Sequence, residues 1–568
     1  MKRQQMLSFF LLFEKNNKGA VEVKNKKILY MLLVIIVIGL FNGCSDKNKS
    51  QKNKNKNEQS KERILDKPKY GGELSIFTTS NFEQLDPAEI VDNTTMQISA
   101  NVMETLVGYD EVSKMPIPQL AESWEISESG LEWTFKIREN IKFHDGTELD
   151  ASAVKYNFLR WTNNSTDNNR KFLYWKWMFD GAPGMLKSVE VVDKYHIKIR
   201  LKSKFAPFLK VLAMKNFSIS SPAAIEKYGE TYSKNICGTG PFILEKIEDN
   251  TRIVLKRNDL YWGGKSYLDK IIFKKADNIA LLKTDVIANN INIIEGLPES
   301  IMKELANSAY SSLIVKGNTL DVSYIAMNSM KPPFDNENFR KAVKMAINKD
   351  EIKRTIYDNC GEVINDITPN TAFITTTKIN YTNYDVEGAK KLLKKIGYKS
   401  DRELKIWVMN TSRSYLSEPK IAGDMIKNYL EAVGIPAVVE EIEFKDFIAK
   451  TQAGEHEIAI FGWRGNYPDP DNYIYPMFSA VNSQLGSSGN FSFYRSEKIE
   501  AGILKGRKTF EEEKRNEIYG QILKELNDKS AIIPLINVER TVVIKKGIHN
   551  YKPSIFGYET LNKVWKTE

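Results

Sequence analysis

One short stretch, residues 462–475, gathers the side chains best suited to hold a polar ligand. It reads GWRGNYPDPDNYIY and follows the apolar alternation of residues 456–461, which is typical of a strand. Pro468 and Pro470 each fix φ and lack an amide donor, so the stretch is expected to leave the sheet as a loop. Such a loop suits the wall of a binding site, and a surface turn is the simpler alternative. The ligand-facing candidates are Trp463, Arg464, Asn466, Tyr467 and Asp469.

No motif for catalysis or for a dedicated metal site stands out elsewhere. Neither HExxH nor paired CxxC occurs, GxSxG is absent, and the glycines of CGTGPF lack the Lys-Ser/Thr pair of a phosphate-binding loop. Ser417 and Lys420 match an SxxK pattern, but Pro419 interrupts the helical turn that such a pair needs. We therefore expect no metal and no cofactor. Carboxylates are abundant, so a glycosidase pair stays open. The histidines are dispersed, at His144, His196, His456 and His549.

The net charge of +10 belongs to one end of the chain. Residues 1–69 carry 16 Lys and Arg against 6 Asp and Glu, whereas residues 70–568 carry 66 of each sign. Because residues 70–568 have no net positive charge to attract a phosphate backbone, we expect no nucleic-acid partner.

The N-terminal region has the features of a secretion signal. Residues 24–27 contain three lysines, residues 28–41 are apolar, and Cys44 follows Asn42-Gly43. This apolar run is too short for an ordinary membrane span, although an uncleaved anchor helix is the alternative. The site is similar to a bacterial lipobox, with Phe41 in place of the usual Leu, which would make Cys44 a lipidated N-terminus. The charged run that follows it reads as a flexible tether.

Two cysteines remain in the body, Cys237 and Cys360. A disulfide between them is possible outside the cytoplasm, but the sequence favours two buried thiols.

Strand and helix patterns are mixed from Tyr70 onward. Helical spacing occurs in residues 337–357, in 385–397 with Asp385 as N-cap and Gly397 as stop, and in 419–435. These patterns predict an α/β or α+β body. Alternation that places one face inward and the other toward water occurs in residues 73–76, 133–138, 196–201 and 404–408.

Several segments resemble the family 5 extracellular solute-binding proteins of ABC importers, the oligopeptide-, dipeptide- and nickel-binding group. They occur in the family's order and cover nearly all of residues 70–568. The segments are Leu85-Asp86-Pro87-Ala88, FKIRENIKFHDGTELDASAVKYNF (135–158), GTGPF (238–242), RNDLYWGGKSYLDKIIF (257–273), MNSMKPPFDNENFRKAVKMAINKDEI (327–352), YDVEGAKKLLKKIGY (384–398) and the loop at 462–475.

The resemblance implies a three-domain clamshell of the periplasmic-binding-protein type, class II and oligopeptide-binding-like, with ligand buried between lobes by hinge closure. The expected divisions are residues 1–43 for a signal peptide with an N-terminal extension, 44–69 for the lipidated cysteine and tether, 70–102 with 229–320 and 538–568 for domain I, 103–228 for domain II, and 321–537 for domain III.

The resemblance also assigns residues. Relatives that bind peptides commonly have Trp, two residues, then an Asp that pairs with the ligand's α-ammonium. Here the matching positions are Trp463 and, after Arg464 and Gly465, Asn466. Arg413 is similar to an arginine that grips the ligand carboxylate, through two parallel hydrogen bonds. Residues 91–93 match a segment whose backbone runs along the bound peptide, and a helix start there is the alternative. These three are Val91, Asp92 and Asn93.

The function that the resemblance implies is capture of a peptide or similar small solute outside the cell, for delivery to an ABC permease. The chain would be a lipid-anchored monomer and not an enzyme. Nickel or a metal chelate is the alternative within the family, because Asn466 weakens the case for a free amine. A secreted lipoprotein hydrolase and a peptide-sensing receptor are alternatives from other classes.

Overall fold

The computed structural model describes residues 67–567 apart from short gaps, so the leader, Cys44 and the tether lie outside it. Over the described part, none of the helices has both the length and the continuous apolar character that a bilayer crossing requires. The residues left out are 1–66, 79–81, 83, 164–171, 180–183, 249–250, 276–281, 283, 286, 289, 296, 298, 308–311, 401 and 568.

Strands and helices are interspersed along the chain, which confirms the mixed α/β class. The strands are β1 Glu73–Thr78, β2 Val107–Asp110, β3 Met115–Pro118, β4 Ala121–Ile126, β5 Glu132–Ile137, β6 Leu186–Val191, β7 His196–Leu201, β8 Phe242–Glu248, β9 Arg252–Arg257, β10 Lys270–Lys275, β11 Ile293–Ile294, β12 Ser312–Met327, β13 Glu362–Val363, β14 Leu404–Met409, β15 Ala437–Ile442, β16 Ile458–Trp463, β17 Ile532–Lys545, β18 Ile548–His549 and β19 Trp565–Lys566. The α-helices are α1 Asn93–Ser99, α2 Ala151–Asn163, α3 Leu173–Phe179, α4 Phe208–Leu212, α5 Pro222–Tyr228, α6 Glu299–Asn307, α7 Glu337–Ala346, α8 Lys349–Ile356, α9 Val386–Lys395, α10 Pro419–Ala432, α11 Phe444–Gln452, α12 Asp471–Phe478, α13 Glu497–Lys508 and α14 Glu512–Asp528.

A long mixed sheet has the strand order β15-β14-β16-β12-β17-β11-β1-β10-β9-β8, with β13 also paired to β17. Its two halves are joined by the antiparallel pair β12 and β17. On one side β17 pairs with β11, which pairs in parallel with β1, and on the other side β12 pairs with β16. These two long strands therefore carry the connection between the halves.

The β12–β17 ladder is irregular where the halves meet. Its register shifts between Asn318 and Val322, and again between Val322 and Tyr324. At the first shift the Asn537 side chain donates to the carbonyls of Thr319 and Asp321, both at 2.9 Å. A side-chain amide thus replaces regular ladder bonds there. At the second shift Tyr324 lies opposite Pro534, which has no amide hydrogen to donate.

A separate antiparallel sheet has the order β4-β5-β7-β6. Its two central strands alternate buried and half-buried residues, as the sequence predicts for 133–138 and 196–201. In β14 the expected alternation is wrong, since Ile406 and Val408 pack in one apolar cluster and Trp407 in another. Helices α10 and α11 cover this strand, and a parallel strand covered on both faces does not need a polar side.

The predicted helices form, with one correction. Asp385 caps α9 by accepting the Gly388 amide at 2.8 Å, and Gly397 has φ of +67° beyond its end. Residues 337–357 form two helices rather than one, because Ile347 is extended and the Asn348 side chain caps α8. Residues 67–568 form one compact unit, and the expected division into three domains stays a prediction.

Candidate ligand-binding site

The loop at 464–470 connects β16 to α12 and lies against β12. The Trp463 indole donates to Asn472 Oδ1 at 3.0 Å, so the last residue of β16 is tied to the start of α12. A Cβ on Gly465 would collide with Leu320, at 2.7 Å from its carbonyl oxygen. Only glycine permits this close approach, which sets Arg464 and Asn466 on either side of the contact.

Arg464 and Asn466 meet a segment that is distant in sequence. Arg464 Nη1 donates to the Val91 carbonyl at 3.0 Å. The Asn466 amide donates to the Arg464 carbonyl at 3.2 Å. Burial raises the pKa of Tyr174, while Arg464 and a hydrogen bond with Asn466 oppose that rise. The structure therefore brings together Val91, Arg464 and Asn466, three of the residues that the sequence singles out, and adds Tyr174.

Asp92 and Asn93 begin a helix, which confirms the alternative interpretation of this segment. Asp92 is the N-cap of α1 and accepts the Thr95 amide at 2.8 Å. Asn93 is the first residue of that helix, and its Oδ1 is buried with no hydrogen-bond partner among the described residues. Only the Val91 carbonyl of this segment is engaged by the loop.

Asp321 is a site residue that sequence reasoning missed. It lies on β12 next to Leu320, only 5 % exposed, and accepts the Ser414 hydroxyl at 2.6 Å. Burial raises the pKa of Asp321, although Arg464, Ser414 and the Gly465 amide lower it in part. A charged residue within a buried strand is uncommon, and this was the signal available in the sequence.

Arg413 lies in the turn that supplies Ser414. Its guanidinium stacks over the Phe444 ring, 3.5 Å from the centroid. Its backbone pairs with Leu416 in an isolated bridge. The Nε atom is buried and has no hydrogen-bond partner within the described residues. A guanidinium held over a ring in this way is a fixed cation with which an anionic group can pair.

Asp469 and Tyr467 are placed differently from the expectation. Asp469 is fully buried, and both its oxygens accept from Arg515, at 2.7 and 2.5 Å, while Lys210 lies 3.0 Å away. Burial opposes ionisation, yet Arg515 and Lys210 hold the pKa of Asp469 well below its usual value. Asp469 Oδ1 also accepts the Asp471 amide at 2.9 Å, in the turn that leads into α12. All these contacts of the Asp469 carboxylate are therefore within the protein.

Tyr467 packs inside the apolar core beneath the loop. Burial raises its pKa, and its hydroxyl donates to Asp471 at 3.4 Å. Neither Tyr467 nor Asp469 presents a side chain beside Arg464, so we leave both out of the ligand set proposed below.

Other features of the described residues lie apart from this site. A cleft of about 1010 Å³ lies elsewhere, and none of the predicted ligand residues lines it. In the described chain, no group of three or more His, Cys, Asp or Glu side chains could hold a metal ion. Cys237 and Cys360 are both buried and form no disulfide, as the sequence favours.

The architecture is that of a solute-binding protein of the periplasmic type. HbpA2 from Haemophilus parasuis superimposes with a TM-score of 0.77 at 27% identity, covering 88% of this chain and 100% of its own. The periplasmic binding protein DppA from Helicobacter pylori, in complex with the peptide STSA, superimposes with a TM-score of 0.75 at 26% identity. The match covers 88% of this chain and 99% of DppA.

Sequence comparison gives the family. The dipeptide-binding protein of Escherichia coli is 29% identical over 490 residues, which is 83% of this chain and 90% of that protein. Heme-binding protein A of Haemophilus influenzae is 29% identical over 487 residues, which is 83% of this chain and 88% of that protein. The family model for bacterial extracellular solute-binding proteins, family 5 Middle, matches residues 115–484. The chain belongs to this family.

Proposed function

We propose that this protein is the substrate-binding component of an ABC importer and captures short peptides outside the cell. The observation that carries the proposal is the position of Arg464, which donates to the Val91 carbonyl, accepts the Asn466 amide at its own carbonyl and acts electrostatically on the buried Asp321. The backbone acceptor, the Val91 carbonyl, and the buried carboxylate of Asp321 are thus both neighbours of Arg464. Relatives named as dipeptide- and di/tripeptide-binding proteins support peptides as the ligand class. The chain binds and delivers its ligand and catalyses nothing.

Asp321 can supply the negative charge that Asn466 lacks. A buried ammonium without a carboxylate partner is destabilised by about 3–5 kcal/mol. Asn466 offers only a neutral amide, and the Asp469 carboxylate already serves Arg515 and Lys210. Asp321 accepts the Ser414 hydroxyl, and its pKa stays raised despite Arg464, whereas the pKa of Asp469 is lowered by its partners. A cation beside Asp321 would therefore gain more than one beside Asp469. We assign Asp321 to the ligand's α-ammonium.

The other end of the ligand is assigned to Arg413. Its stacked guanidinium has a buried, unused Nε and lies one residue from Ser414, which contacts Asp321. A carboxylate fits such a group through charge-assisted hydrogen bonds. The Val91 carbonyl, now held by Arg464, would accept an amide hydrogen of the peptide backbone.

The cellular context is proposed from the sequence. Cys44 carries the lipid anchor after removal of residues 1–43, and residues 44–69 tether a monomeric body to the outer face of the membrane. The three-domain division given above then places the ligand between the lobes, and the permease receives it. A nickel ligand would have to arrive as a chelate held through its carboxylates, because no metal-binding cluster occurs in the described residues.

Native mass spectrometry of protein purified from rich medium tests the proposal, followed by thermal-shift screening of di- to tetrapeptides and nickel–histidine mixtures. A bound ligand raises the stability of the folded state by RT ln(1 + [L]/Kd), so a peptide at a hundred times its Kd adds about 2.7 kcal/mol. Stabilisation by peptides supports the proposal. Stabilisation by nickel–histidine alone would replace peptides by chelates, and turnover of a glycoside or ester without any shift would indicate a hydrolase.

A further inference from the structure

Lys316 and Cys360 are unusually close. Lys316 Nζ lies 2.7 Å from Cys360 Sγ. An N–H···O hydrogen bond is typically about 2.9 Å long, and sulfur is larger than oxygen, so an ordinary N–H···S contact is longer still. Lys316 Nζ also lies 3.7 Å from Glu539 Oε2. The nitrogen and sulfur are thus nearer than a hydrogen bond requires and have room for one atom between them.

The pair sits at the junction of the two halves of the long sheet. Lys316 is on β12 opposite Thr541, just before the register shift that follows Asn318. Cys360 lies two residues before β13, which pairs with β17 at Asn537, beyond the same shift. A link between the two side chains would span the irregular part of the ladder. The two residues are 44 positions apart in the chain.

The chemistry of the pair favours oxidation. An ammonium beside a thiol stabilises the thiolate, and the thiolate is the form that reacts with oxidants. Cys360 is 8 % exposed and the Lys316 side chain 37 % exposed, so a small oxidant can approach from the lysine side. Cys237 provides the contrast, since burial raises its pKa to about 12.

We propose that dioxygen joins Lys316 to Cys360 through a covalent N–O–S bridge. The amine, the thiol and one O2 give the bridge and one water. The O–O bond, one N–H bond and the S–H bond break, and N–O and O–S bonds form. One oxygen atom stays between nitrogen and sulfur, and the other leaves as water with two of the three hydrogens. Nitrogen and sulfur together lose the four electrons that the two oxygen atoms gain.

The bridge acts as a redox-dependent restraint on the junction. In the oxidised protein, Lys316 on one side of the register shift is fixed to Cys360 on the other. The two halves of the sheet then bend less freely against each other, and a crosslink closing a long loop raises thermal stability. A thiol reductant removes the restraint.

Peptide mass spectrometry of the full-length protein, purified in air without reductant, tests this directly. We expect the tryptic peptide 355–378 to be joined to a peptide with an uncleaved Lys316, at about 14 Da above the sum of the two, from one oxygen gained and two hydrogens lost. Dithiothreitol should release both peptides and lower the melting temperature of the wild type by a few degrees. Lys316→Arg and Cys360→Ser should each abolish the crosslink and the response to dithiothreitol.

Cys237 is the matched control within the same chain, and it should be recovered as an alkylatable thiol. Recovery of Cys360 as a thiol or a sulfinic acid after exposure to air or peroxide, with Lys316 cleaved normally, would overturn the proposal. A crosslink about 2 Da lighter than the sum would indicate a direct sulfur–nitrogen bond and would also overturn the oxygen bridge.

Discussion

Ser414 donates its hydroxyl hydrogen to Asp321 Oδ2 at 2.6 Å. This bond joins the turn that carries Arg413 to the strand beneath the Arg464 loop, so the proposed anion-binding and cation-binding groups share one support. It also orients the buried Asp321 carboxylate, on which Arg464 and the Gly465 amide act as well. The predictions on ligand recognition follow from this arrangement.

Replacing Asp321 by Asn should weaken binding of peptides with a free N-terminus. Truncation of one partner of a buried charge pair costs about 2–5 kcal/mol, which is roughly 30-fold or more in Kd. N-acetylated peptides have no ammonium and should change far less. Isothermal titration calorimetry with matched free and acetylated peptides measures the difference.

Asn466→Asp provides the companion test. Introduced into the Asp321→Asn chain, it returns a carboxylate to the same site and should recover much of the affinity for free N-termini. Equal loss for free and acetylated peptides in Asp321→Asn, with no recovery in the double variant, would show that Asp321 supports the fold and does not bind the ligand.

Arg413→Ala should weaken ligands that bear a free C-terminal carboxylate and leave amidated peptides nearly untouched. The reason is loss of a guanidinium that is positioned against Phe444 with its Nε unused. Arg413→Lys keeps the charge but removes the planar donor pair, so it should restore only part of the affinity. Calorimetry with acid and amide forms of one dipeptide separates the two outcomes, and equal losses for both would contradict the assignment.

Asp469→Asn should destabilise the protein by about 3–5 kcal/mol, because Arg515 would remain buried without its carboxylate. Urea unfolding at pH 7 measures the change. The pKa of Asp469 is lowered by folding, so its stabilisation is present above the unfolded pKa of about 3.9 and is lost as the pH falls toward the folded value. Lys210→Met removes the more exposed partner and serves as control, with an expected loss of about 1 kcal/mol or less.

His456 should make the fold sensitive to mild acid. Its Nε2 lies 2.7 Å from the Phe491 carbonyl, its Nδ1 is buried without a partner in the described chain, and burial lowers its pKa to about 4. The unfolded chain, with a pKa of about 6.5, therefore binds more protons, and stability falls as the pH drops from 6.5 toward 4. For His456 this loss is about 2–3 kcal/mol by pH 4.5.

His456→Gln can keep a donor for Phe491 and does not titrate, so the variant should lose less stability between pH 7.5 and pH 4.5. Urea unfolding at the two pH values gives the comparison. Parallel losses in the variant and the wild type would show that His456 is already protonated in the folded protein.

Features set by neighbouring residues could be predicted from the sequence. Asp385 and Gly397 bound α9 because an N-cap and a left-handed stop depend only on the local backbone. The break of 337–357 into two helices was missed because its apolar spacing continues through Ile347, which is nonetheless buried in the same cluster.

The site was predictable only in part, because its chemistry depends on distant pairs. The sequence identified Arg464 and Asn466, but Asp321 becomes relevant only when β12 brings it beneath the loop. Likewise, Asp469 looked available for a ligand because its partner Arg515 lies 46 residues further along the chain. The sequence shows which residues a loop carries, but it does not show whether a side chain is free to contact a ligand or is already paired with a distant residue.

The position of β17 has a consequence for the order in which the molecule can be completed during synthesis. Strand β1 is made near the start of the described chain, yet the ladder that joins its half of the sheet to β12 needs Val543 and Ile544 of β17. The half of the sheet that contains β1 can therefore be completed only after almost the whole described chain has been synthesised. Pairings between such remote segments slow folding, so the N-terminal strands should spend the longest time with an unfilled edge and should be the part most in need of protection from aggregation.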